Sequence, residues 1–107
     1  MDIKRNVRRI NRLADFIEQS YDEPFNYIDP AHCIGGYALK LWGAGVSSPI
    51  HNSSFCPMKM AELLGLSRET VYELCFTTQM TPYANITRGV AVRVLRHLAE
   101  TGDVRFE

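Results

Sequence analysis

The sequence predicts an all-α protein, a single compact domain of about five helices spanning residues 1–107. Three observations lead there. Apolar residues recur at helical spacing in well-separated stretches, as in Val7, Ile10, Leu13, Ala14 and Ile17 and again in Val90, Ala91, Val94, Leu95 and Leu98. Glycines and prolines fall between those stretches, where helices stop and start. At 107 residues and 46% hydrophobic, the chain is large enough to close one core and too short to need a second.

The first helix is expected over residues 3–19, its basic positions on the side away from the apolar stripe. Residues 21–31, which hold Pro24 and Pro30, read as a loop. A second helix is expected from about 32 to 42, because Ile34, Tyr37, Ala38 and Leu41 lie at i, i+3, i+4 and i+7. Gly43-Ala44-Gly45 ends it, and residues 47–55, with Pro49 and two serine pairs, form the longest polar segment. A third helix starts near Pro57 and stops at Gly65. Ser67 has the features of an N-cap, with Leu66 and Val71 placed as a hydrophobic staple, so residues 68–76 make a short fourth helix. A turn containing Pro82 leads to Thr87, which caps the last helix. Gly102 closes that helix, and Val104 and Phe106 fold back toward the core.

Composition bounds the function. The longest apolar stretch falls well short of the roughly 20 residues of a membrane span. The N-terminus has no signal-peptide core, and Cys33, Cys56 and Cys75 are odd in number and widely spaced. The expectation is a cytoplasmic protein with free thiols and no membrane partner. Net charge is zero but unevenly spread: residues 1–12 balance to +4 and residues 13–30 to −5. Any anionic partner is therefore held by a local patch.

The glycines of Cys33-Ile34-Gly35-Gly36-Tyr37-Ala38 stand inside a helix, where each costs roughly 1 kcal/mol relative to alanine. Close helix packing is the simpler explanation. The alternative is a seat for a small anionic ligand built from Cys33, Gly35, Gly36, Tyr37 and Trp42. Lys4, Arg5, Arg8, Arg9 and Arg12 gather on one face of the expected first helix, and Arg93, Arg96 and His97 form a second basic group on the last one. Two such groups can clamp an acidic partner surface or a phosphate.

Residues 61–72 resemble the helix-turn-helix of bacterial transcription regulators. Ala61, Gly65 and Val71 match its small packing residue, turn glycine and β-branched anchor. The resemblance implies that Ser67, Arg68, Thr70 and Tyr72 would face the major groove of DNA. Charge argues for a structural hairpin instead, since Arg68 stands against Glu62, Glu69 and Glu73. Catalysis finds no support, because His32, His51 and His97 have no nucleophile and carboxylate placed around them. A zinc site from Cys33, His51 and Cys56 would lack a fourth ligand, so no metal and no cofactor are expected.

The block from Cys33 to Ala38, together with Ala61-Glu62-Leu63-Leu64-Gly65-Leu66 and the terminal Leu98-Ala99-Glu100-Thr101-Gly102-Asp103-Val104, resembles a family of small uncharacterised proteins of tailed phages and prophages. That likeness implies a phage setting in a bacterial host cell and no particular activity. The expected function is a non-enzymatic accessory protein that binds a host macromolecule, such as a defence or transcription component, through its basic helix faces and the segment 43–56. A DNA-binding regulator and a sequestering protein for an anionic small ligand are the alternatives.

Overall fold

A computed structural model describes residues 4–29, 32–42 and 57–106. Among these residues it has five α-helices and no strand: α1 (Val7–Gln19), α2 (Ile34–Trp42), α3 (Pro57–Leu64), α4 (Arg68–Cys75) and α5 (Arg88–Thr101). A 3-10 turn, Tyr83–Asn85, precedes α5. Expectations for residues 43–56, including the Gly43-Ala44-Gly45 stop, His51 and Cys56, lie outside the described residues.

Helix α1 buries Ile10, Leu13, Ala14 and Ile17 completely, and its most extensive interface is with α5. The two run antiparallel: Arg5, just before α1, reaches the end of α5, while Arg88 at the start of α5 reaches Ile17 O at the end of α1. The start of α1 departs from the expectation of residue 3. Asn6 ends the approach to the helix in two ways: its side chain accepts from Arg9 N, and its own N–H donates to Leu64 O at 2.7 Å. That N–H is already committed to the end of α3, so residues 4–6 run outside the helix.

Gly65 receives this segment. It sits at φ +65°, and a Cβ there would lie 2.4 Å from Lys4 O and 3.0 Å from Asn6 N. Both the left-handed turn and the close approach require glycine. Ser67 then caps α4 as expected, accepting from Thr70 N at 3.1 Å.

In α2, the five residues Ile34 to Ala38 are all buried, because the helix enters between α1, α3 and α4. The Cys33 sulfur accepts from Gly36 N at 3.3 Å and serves as the cap, so the helix begins two residues later than residue 32. At the other end of the chain Gly102 closes α5 at φ 83°, its N–H donating to Leu98 O. Val104 and Phe106 fold back into the core, as the sequence predicts. Gln79 holds them there: its amide donates to Val104 O and accepts from Phe106 N. No helix among the described residues is long and apolar enough to cross a membrane.

Candidate functional site

The five basic residues expected on one face of the first helix do not share a face. Lys4 and Arg5 precede α1. The Arg5 guanidinium donates to Ala99 O at 2.9 Å and Glu100 O at 3.0 Å, covering carbonyls that the end of α5 leaves unsatisfied. Arg9 does the same for Leu63 O near the end of α3, at 3.0 Å. A cation at a helix C-terminus also meets the favourable end of its dipole. These two arginines hold α1, α3 and α5 together.

Arg8 and Arg12 remain on the outer face of α1. Both are exposed, they stand one turn apart, and neither forms an ion pair among the described residues. With 3.6 residues per turn they lie opposite the stripe of Ile10, Leu13, Ala14 and Ile17.

The second basic group is consumed internally. Arg96 donates to Asp15 Oδ1 at 2.6 Å and to Glu18 Oε1 at 3.3 Å, which ties α5 to α1. The bond to Asp15, the largest cause, pushes the Arg96 guanidinium pKa up against the opposing effect of burial. Arg93 donates to Phe106 O at 3.3 Å. The expected clamp of two free basic groups is therefore not formed, because Arg96 is neutralised by Asp15 and Glu18, two of the five acidic residues in segment 13–30.

The Gly35-Gly36 helix is a packed element. Gly35, Gly36 and Tyr37 are buried, Trp42 is half-buried, and the Tyr37 hydroxyl donates to Pro24 O at 2.7 Å. Phe16 meets the Tyr37 ring edge-on at 5.8 Å, and Phe25 stacks on it at 6.2 Å. Burial raises the thiol pKa of Cys33, partly opposed by the amides of Gly36 and Gly35, and raises that of fully buried Cys75 further. Neither is an activated nucleophile. Among the described residues no cluster of histidine, cysteine and carboxylate side chains could hold a metal ion.

In the hairpin of α3 and α4, the three residues that match a helix-turn-helix are structural: Ala61 and Val71 are buried and Gly65 makes the turn. Of the residues that would read a groove, Ser67 is occupied by Thr70, whose hydroxyl lies 2.8 Å from its own. Arg68 is exposed, at the edge of a face whose centre carries Glu69 and Glu73. Tyr72 is 46% exposed and its ring centroid is 5.9 Å from that of Phe76, which is 52% exposed. That face is acidic and aromatic.

Sequence reasoning missed two features. One is this pairing of aromatic and acidic rows on α4, legible in the i, i+4 spacing of Glu69 with Glu73 and of Tyr72 with Phe76 once the buried side of the helix is known. The other is a groove of about 500 Å³ between Phe25–Ile28 and Tyr83–Arg88. Tyr27 lines it, and its buried hydroxyl donates to Leu74 O and accepts from Thr77 N, both at 2.8 Å. Burial, the largest cause, raises its pKa well above the ordinary tyrosine value. Arg88 closes one end, donating to Ile17 O and Glu23 O. No local signal joins segments so far apart in the chain. Comparison with protein-family models, with characterised proteins and with solved structures finds no match.

Proposed function

We propose that this chain is a non-catalytic binding protein of the phage-accessory type, which docks on an acidic surface of a host protein in the bacterial cytoplasm through the outer face of α1. The supporting observation is the pair Arg8 and Arg12. Five other arginines, Arg5, Arg9, Arg88, Arg93 and Arg96, are bonded to carbonyls or carboxylates of the same molecule. Arg8 and Arg12 are exposed one turn apart with no such partner among the described residues. Like charges at that spacing repel by a few tenths of a kcal/mol, so the fold gains nothing from the pair. An acidic partner surface does, because guanidinium forks match carboxylates and steer association.

The test is Arg8→Glu with Arg12→Glu, compared with the unaltered chain in capture from host lysate, followed by association kinetics with the captured protein at several salt concentrations. The melting temperature should be unchanged while association slows and loses most of its salt dependence. Equal rates with equal salt dependence would assign the pair to solvation and defeat the reading.

A further inference from the structure

We propose that the outer face of α4 is a self-association surface, which takes the Arg8–Arg12 row of a second copy of this chain. The chain carries both halves of the contact. On α4 the buried stripe is Val71, Leu74 and Cys75. Glu69 and Glu73 lie opposite it, exposed, one turn apart and without an ion pair among the described residues. Arg8 and Arg12 occupy the equivalent place on α1, at the same spacing and with the opposite sign. Two cations one turn apart on one helix thus meet two carboxylates one turn apart on another, each side relieving a like-charge pair in its own helix.

The aromatic pair adds what a purely ionic contact lacks. Tyr72 and Phe76 flank the glutamates, and their tilted rings, 46% and 52% exposed, offer apolar area beside the carboxylates. A guanidinium is the group that uses both, forming a fork to a carboxylate while its flat face lies on a ring. Arg68 sits toward the flank of the same face and leaves the Glu69–Glu73 row in place at its centre. In a twofold dimer each copy contributes both rows, so the contact is made twice.

The contact shares its arginine row with the host-docking surface but not its partner, and the two are separated by measuring the purified chain alone. Sedimentation of the full chain is followed over rising concentration in dilute and in concentrated salt. Dimerisation should weaken by about tenfold or more as salt screens the paired rows. Arg8→Glu with Arg12→Glu should abolish it, and so should Glu69→Lys with Glu73→Lys. Mixing the two charge-reversed chains in equal amounts should restore a dimer of one of each, since both contacts are then attractive again. All four positions are exposed, so circular dichroism should find both variants folded. Tyr72→Ala should weaken the dimer without changing its salt dependence. A chain that stays monomeric at every concentration in dilute salt, a dimer indifferent to either reversal, or failure of the mixture to reassociate would each overturn the proposal. A dimer that responds to both reversals as expected, beside host capture and association rates that the Arg8→Glu with Arg12→Glu change leaves untouched, would defeat only the docking reading.

Discussion

Replacing Gly65 by alanine tests the most constrained point of the fold. Two costs add. A non-glycine residue at φ +65° is in the left-handed region, at about 1–2 kcal/mol. The new Cβ would also stand 2.4 Å from Lys4 O, and backbone cannot yield as a flexible side chain would. Residues 4–6 must move away, which strains the Asn6 N–H bond to Leu64 O and the Arg5 and Arg9 bonds to the helix ends. Weakening them by the equivalent of one to two bonds, at about 1 kcal/mol net each, brings the total loss to about 3 kcal/mol. For a domain of this size that lowers the midpoint of thermal unfolding by roughly 12 °C or more. Gly89→Ala is the matched control: a Cβ there would meet only Thr87 Oγ1, at 4.0 Å, in the first turn of α5. That substitution should stabilise by about 0.5–1 kcal/mol, since the helix loses a glycine and gains no clash. Calorimetry or urea unfolding of the two variants decides the matter. A loss under about 1 kcal/mol for Gly65→Ala, within the range of an ordinary surface change, would refute the argument.

Three further outcomes are expected. Arg5→Ala should cost about 1 kcal/mol by uncovering the carbonyls of Ala99 and Glu100, while Arg8→Ala should fall within about 0.5 kcal/mol of zero, and equal effects in urea unfolding would remove the distinction between the two arginines. Gly36→Leu should overpack the buried start of α2 and cost on the order of 1–3 kcal/mol, and an unchanged melting curve would mean that space is open there. The third outcome is alkaline destabilisation. The folded pKa values of Tyr27, Cys33 and Cys75 are all raised, so the stability that their protonated forms contribute is complete below their unfolded pKa values and drains away as pH rises above them. The loss should set in near about pH 8.5 for the thiols and near about pH 10 for Tyr27. Tyr27→Phe should remove the tyrosine part of that slope and, by leaving Leu74 O and Thr77 N without their partner, cost about 1–3 kcal/mol at neutral pH. An unfolding free energy flat up to pH 11, or a Tyr27→Phe chain that keeps the full alkaline slope, would contradict it.

The all-α class, the caps at Ser67, Thr87 and Gly102, and most of the core were legible in the chain because they depend on residues within about four positions of one another. Ser67, Thr87 and Gly102 act locally, and a local reading finds them. The stripes of α1 and α5 likewise declare which side is buried. What the arginines do is decided elsewhere. Arg9 finds its acceptor 54 residues away, Arg5 finds its own 94 and 95 residues away, and Arg96 pairs with a carboxylate 81 residues back. The same long-range contact with Leu64 and Gly65 moves the start of α1 from residue 3 to Val7. Helical periodicity places a side chain on a face, but only the packing of α1 against α3 and α5 brings a helix end, with its unpaired carbonyls, within reach of that side chain. Packing therefore commits Arg5, Arg9 and Arg96 to structural bonds and leaves Arg8 and Arg12, like Glu69 and Glu73 on α4, exposed on the outer faces of their helices.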